Sequence, residues 1–317
     1  MTIKNKNNKK ICFIGLGMMG GYIVKNIRKH HSNISVYDSA ESKRQQFTQL
    51  GYNFPATLSM AAKNADILFT ILPTSEIVRK VIFEVNSAGH SVINSVNKNC
   101  LFIDMTTGSI TDLLTLNKGL NYLGHRLIDA PVGRSPREAK IGKSLIMAGG
   151  TAYNISQAKP IFDSFADTVM HIGEIGAGLR LKLVNNYMAM ANHVLTGEVL
   201  SFAKSAGLDR KLAVEVLSTT AAGKGQLLTN FPKKVLAGDI SPDFSIDMGI
   251  KDLNMALELA AESNFKPTFG DLSHSLFSGA SESGMGDQDC TAILNYFDKN
   301  NESVSYTHLT LPTILLV

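Results

Sequence analysis

At 317 residues the chain exceeds one typical domain, which points to two. Its 44% hydrophobic and 18% charged residues fit an ordinary globular protein and exclude general disorder. The net charge of +4 sits partly in Lys4, Lys6, Lys9 and Lys10 and makes no basic stripe with interleaved aromatics, so no nucleic-acid partner is expected.

Residues 1–10 read as a disordered basic tail. Ile11–Ile14 reads as a short buried strand, followed by glycines, a helical pattern through Ile27 and a second strand at Ile34–Tyr37. Ala65–Leu72 and Leu101–Asp104 supply two more apolar strands, each preceded by a helical stretch. Leu127–Ala130 and Ser144–Met147 add two further strands. Strands alternating with helices indicate an α/β fold with a doubly wound parallel sheet over residues 11–175. Beyond Gly178 the texture turns to long helical periodicity, so an all-α domain headed by a long helix is expected over 176–302. Residues 303–317 fit neither domain and read as a non-native tail. Three widely spaced cysteines with no C-x-x-C indicate a reducing compartment and no metal site. No apolar run is long enough to span a membrane and no cleavable leader is evident, so a cytoplasmic enzyme without a membrane partner is the default.

Gly15-Leu-Gly17-Met18-Met19-Gly20 lies between a strand and a helix, the context in which such a motif binds a dinucleotide. The first glycine makes the turn, the second admits the pyrophosphate and the third lets helix and strand pack closely. Asp38 ends the next strand, where a carboxylate accepts from the adenosine ribose hydroxyls and repels a 2′-phosphate; NAD(H) is therefore expected over NADP(H). Leu72-Pro73 and Thr107 close the next two strands at their carboxyl ends, where ligands of such sheets bind. Asp129-Ala-Pro-Val-Gly133-Arg134-Ser135 then ends a strand in a turn. Its N–H groups, together with the Arg134 fork, suit a carboxylate, sulfonate or phosphate, although Arg137 and Lys140 nearby read equally well as solvated charges.

Gly176-Ala-Gly178-Leu-Arg-Leu-Lys182-Leu-Val-Asn185-Asn186 puts a lysine and two amides on one helix face. Leu181, Val184 and Met188 place that face at a packed interface, and the two glycines leave room for a ligand to approach the backbone. A cation beside amide donors can protonate and hold a developing alkoxide. An isolated lysine at a helix start more often keeps its head in water.

With Lys251-Asp252-Leu253 added, these ordered motifs resemble the β-hydroxyacid dehydrogenases, the group that includes 3-hydroxyisobutyrate dehydrogenase. The resemblance covers about residues 10–298. It implies Lys182 as the catalytic acid/base. Substrate would be held by Asn185, Asn186, Tyr187, Met188 and position 189 as well as by the 133–135 turn, and Lys251 would reach the cofactor. The helical domain would carry substrate contacts and oligomer contacts, giving a homodimer or homotetramer. Arg134 in place of the usual Ser-Gly-Gly is similar to the branch that reduces 3-sulfolactaldehyde with NADH. Thr220–Gly225, Gly238–Pro242 and Gly286–Asp289 point the same way, whereas Ala189 stands where that branch tends to carry a hydroxyl. The competing readings are a reductase of a carboxylate semialdehyde (succinic or tartronate semialdehyde) and a dinucleotide-binding regulator without turnover.

Overall fold

The computed structural model describes residues 9–307, which fall into two compact units divided between Met188 and Ala189. In the first unit the strands are β1 (Ile11–Ile14), β2 (Ile34–Tyr37), β3 (Ile67–Thr70), β4 (Leu101–Asp104), β5 (Arg126–Asp129), β6 (Val132–Gly133), β7 (Ser144–Gly149) and β8 (Ala166–Gly173). They form one sheet in the order β2-β1-β3-β4-β5-β7-β6, with β8 also paired to β7. Both faces of the central strands are apolar, so successive residues feed opposite cores. Ile11, Phe13, Phe69 and Ile103 face one buried cluster, while Cys12, Ile14, Leu68 and Phe102 face the other. Helices cover both faces, which is the Rossmann-like, doubly wound arrangement expected.

The far edge departs from the parallel expectation. β1 to β5 run parallel, but β7 is antiparallel to both β5 and β6 and parallel to β8. The 134–143 connection holds only one short helix, Pro136–Lys140, and so returns the chain antiparallel instead of through a full crossover. The basic tail also ends earlier than expected. Lys9 donates to Gln157 at 3.1 Å, and the Lys10 backbone donates to Asp66 at 2.8 Å, because β1 needs its edge residues paired. Residues 1–8 of that tail lie outside the described residues.

A long helix, Ala177–Ser205, begins in the first unit and continues into the second. Its start is fixed from the sheet. Asp129, the last residue of β5, accepts from the Gly176 N–H at 2.6 Å and the Leu179 N–H at 2.7 Å. Gly176, with φ of +89°, has no side chain to cap the helix, so a buried carboxylate from 47 residues upstream does so. A Cβ on Gly178 would collide with the Met147 carbonyl. The space Gly178 leaves is therefore filled by the ends of β5 and β7, and that beside Gly176 by the Arg180 and Leu114 side chains, not by an approaching ligand as the sequence suggests.

The second unit is helical, with further helices at Arg210–Thr219, Ile246–Glu262, Thr268–Ala280 and Ile293–Thr307. Its buried apolar cluster contains only Ile246, Ala280 and Ala292. Carboxylates organise it: Glu198 accepts from the Phe269 N–H at 2.9 Å, and buried Asp289 accepts from the Thr291 N–H and hydroxyl at 3.0 and 2.7 Å. The last helix runs through Thr307, into the segment that reads as foreign by sequence; residues 308–317 lie outside the described residues. No helix among the described residues is long and apolar enough to cross a membrane.

Removing the Asp129 cap leaves two helix N–H groups unpaired in a buried position, at about 2–4 kcal/mol. Asp129→Ala should therefore lower the melting temperature by roughly 5–10 °C, read by circular dichroism. An unchanged melting temperature would show that the cap carries no weight.

Candidate active site

The first helix, Met18–Arg28, starts at Gly17 with no side-chain cap and no acidic residue in its first turn. Its leading N–H groups and the positive end of its dipole are left for an anion. The three glycines divide the work as the motif requires. Gly15 has φ of +102° and a Cβ there would strike the Ile71 carbonyl; a Cβ on Gly20 would strike the Gly15 carbonyl; Gly17 faces open space. Asp38 accepts from the Leu16 N–H at 2.7 Å and the Ala40 N–H at 2.9 Å. Each oxygen keeps a further lone pair for a ribose hydroxyl.

A cleft of about 560 Å³ brings together Gly15, Gly17, Met18, Met19, Gly20 and Asp38 with Leu72 and Pro73, eight of the ten residues expected to hold the cofactor. Thr107 does not line it, and Lys251 belongs to the second unit. Thr107 is exposed beyond β4, while Lys251 lies on Ile246–Glu262 in the second unit, its ammonium 3.2 Å from Asp252. The cleft lip is held by a buried carboxylate that the sequence reading passed over. Asp104 accepts from the Thr70 hydroxyl at 2.9 Å and the Thr106 N–H at 3.0 Å, and the Thr106 hydroxyl accepts from the Leu72 N–H at 3.0 Å. Burial pushes the Asp104 carboxyl up to about 6 against the pull of these donors.

Lys182 sits on the long helix one turn beyond the residues capped by Asp129 and is half-buried; desolvation lowers its pKa. Asn185 donates to Asn186 at 3.2 Å. The face expected to be packed is open in the single chain. Leu181, Val184, Tyr187 and Met188 are all exposed, Val184 by 63% and Tyr187 by 78%. Position 189 belongs to the second unit, where its carbonyl is hydrogen-bonded by His193 at 2.6 Å.

The 133–135 turn differs from expectation in detail. Gly133 is buried in β6 opposite Leu145. The Ser135 N–H donates to Glu138 at 3.0 Å, and its hydroxyl also bonds Glu138 in a capping box for Pro136–Lys140. Ser135 is thus corrected from a free anion donor to a helix cap. Arg134 has φ of +66°, and its Nη1 donates to Asp167 at 2.6 Å and the Lys143 carbonyl at 2.7 Å. Nη2 donates to the Thr168 hydroxyl at 3.2 Å. Of the five guanidinium hydrogens, the side-on pair on Nε and Nη2 keeps no partner among the described residues. Asp167 and Thr168 arrive on β8, a strand that sequence reasoning missed; the β-branched run Thr-Val-Met-His-Ile was the available signal.

Comparison with known proteins identifies the family. A family model described as the NAD-binding domain of 6-phosphogluconate dehydrogenase matches residues 10–173, and one described as NAD-binding of NADP-dependent 3-hydroxyisobutyrate dehydrogenase matches 176–297. The chain belongs to the 3-hydroxyisobutyrate dehydrogenase-related β-hydroxyacid dehydrogenases. Among relatives, 3-sulfolactaldehyde reductase of Escherichia coli (strain K12) is 36% identical, over 90% of this chain and 94% of its own. The 2-(hydroxymethyl)glutarate dehydrogenase of Eubacterium barkeri is 27% identical over 92% and 95%. The solved structure of Mycobacterium tuberculosis 3-hydroxyisobutyrate dehydrogenase shares the fold, with a TM-score of 0.62 at 24% identity, covering 91% of this chain and 99% of that one. The dehydrogenase is therefore an NAD(P)-dependent oxidoreductase acting on CH–OH groups of small hydroxy acids or the matching semialdehydes.

In this dehydrogenase the folded Asp104 carboxyl titrates above its unfolded value of 3.8, so the native state holds the proton more tightly. The stability it contributes is full below about pH 4 and is lost as the pH rises through about 6, by up to about 3 kcal/mol. Denaturant melts at pH 4.5 and 7 should show Asp104→Asn losing less stability than the parent over that interval. Parallel curves would contradict it.

Proposed function

We propose that the protein reduces 3-sulfolactaldehyde to 2,3-dihydroxypropane-1-sulfonate with NADH. The observation that carries this reading is the unpartnered Nε/Nη2 edge of Arg134, a fork matched to one face of a tetrahedral or planar oxyanion. The 36% identity to a 3-sulfolactaldehyde reductase supports the sulfonate, and Asp38 at the ribose end of the cleft supports NADH over NADPH.

The glycine loop and the uncapped helix start would hold the pyrophosphate. When bound, the dihydronicotinamide supplies the hydride that, with one proton, converts the aldehyde to the alcohol and leaves NAD+. Lys182, as an ammonium, donates that proton to the aldehyde oxygen, and Asn186 holds the substrate hydroxyl. Arg134 fixes the far end of the substrate, so that the carbonyl is presented in one orientation. Because burial lowers the Lys182 pKa, the reducing kcat should fall as the pH climbs through that lowered value, and the oxidising kcat should rise.

The experiment is an aldehyde panel with NADH against NADPH. 3-Sulfolactaldehyde with NADH should give the highest kcat/KM; a higher value for succinic semialdehyde would favour the carboxylate reading. Lys182→Ala should lower kcat by roughly 10²–10⁴-fold while NADH binding, followed by fluorescence, persists. Arg134→Ala should raise KM for the sulfonate by roughly 10–100-fold. A near-parent kcat in the first variant, or an unchanged KM in the second, would refute the assigned role.

The protein works as a homo-oligomer in this reading. Among the described residues, the buried cluster of the second unit holds Ile246, Ala280 and Ala292, while Val194, Val214, Leu228 and Met255 among others stay exposed, an apolar surface that a second copy would cover. Sedimentation velocity should give a dimer or tetramer; a monomer at micromolar concentration would contradict it.

A further inference from the structure

We infer that Asp167 is a specificity-determining residue that makes the Arg134 subsite selective for a monoanion and turns away a phosphate dianion. This rests on the reading of Arg134 as the substrate's anion clamp.

Sulfonate and phosphomonoester are both tetrahedral oxyanions with three terminal oxygens. A fork of donors fits either group; the ester's bridging oxygen sets its anion one bond further from the aldehyde, and charge separates the two besides. A phosphomonoester carries about −1.5 to −2 at neutral pH, with its second ionisation near 6, whereas a sulfonate carries −1. The Arg134 guanidinium is half neutralised before any ligand arrives. Asp167 Oδ1 lies 2.6 Å from Nη1, on the side of the guanidinium away from the unpartnered Nε/Nη2 edge. An oxyanion on that edge therefore meets a cation with a carboxylate directly behind it. Asp167 lowers the positive potential at that edge, and a dianion loses twice what a monoanion loses.

Asp167 stays ionised to do this. Desolvation pushes its carboxyl up, but the Arg134 hydrogen bond, the Thr168 hydroxyl and the guanidinium charge outweigh it, and it titrates below the ordinary range. The turn carries a second carboxylate, Glu138, fixed against Ser135 in the capping box next to Arg134. Arg137, Lys140 and Lys143 keep exposed side chains, whose charges water screens. Among the described residues Asp167 alone touches the guanidinium as a charge, and direct contact, not burial, makes it the element set against the wrong anion.

The test is a pair of three-carbon aldehydes, 3-sulfolactaldehyde and glyceraldehyde 3-phosphate, assayed with NADH in parent and variant, so that the extra bridging oxygen of the phosphate ester is common to both and cancels in the comparison. The readout is the ratio of their kcat/KM values. The parent should favour the sulfonate. Asp167→Asn keeps the side-chain shape and an acceptor oxygen for Nη1, and should shift the ratio toward the phosphate by about tenfold, through KM and not kcat. Asp167→Glu, which keeps the charge, should restore the parent ratio, a rescue that a purely structural role would not require. A ratio within twofold of the parent in Asp167→Asn, alongside a raised sulfonate KM in Arg134→Ala, would overturn the inference and leave the clamp standing. An unchanged KM in Arg134→Ala would overturn both.

Discussion

The buried carboxylate of Asp129 ties the helix that carries Lys182 to the sheet. It ends β5, accepts from two N–H groups of the first turn of Ala177–Ser205, and so sets where that helix begins. Lys182 stands one turn further on. The glycines at 176 and 178 are the complement of this contact, since a side chain at 178 would strike the Met147 carbonyl. The helix start could not sit so close to the ends of β5 and β7 with larger residues.

The first unit contains two helix N-termini opened by glycines, and they are put to opposite uses. At Met18–Arg28 the N–H groups have no side-chain partner and face a cleft, a site suited to the phosphates of a dinucleotide. At Ala177–Ser205 the same kind of opening is filled by the chain's own carboxylate. The positive dipole end is left open in one case and is met by the chain's own carboxylate in the other. Arg134 follows a similar logic, with one edge held by Asp167 and the Lys143 carbonyl and the other left for an anion.

Much of this was legible in the sequence wherever the requirement is local. Gly15 and Gly20 each answer a backbone constraint within one turn, and Asp38 follows at the end of the next strand, so the residues that line the cleft stand close together in the sequence. The two central layers were also readable, because short apolar strands buried on both faces leave no alternation to misread. What escaped depended on pairing between distant segments. β8 joins β7 through long-range register, and only that pairing carries Asp167 to Arg134. The capping role of Asp129 escaped because its partners lie 47 and 50 residues away. Ser135 was a different kind of miss. Ser135-Pro-Arg-Glu138 is a readable capping box with proline at the first helical position, and its donors were never free.

The central claim is that the amine of Lys182 and the open edge of Arg134 act on the two ends of one small acid. A crystal structure with NAD+ and 2,3-dihydroxypropane-1-sulfonate tests it most directly. The account requires the Lys182 Nζ within hydrogen-bond distance of the terminal alcohol oxygen, and Nε and Nη2 of Arg134 on the sulfonate oxygens. A sulfonate bound away from Arg134, or an alcohol oxygen out of reach of Lys182, would contradict it.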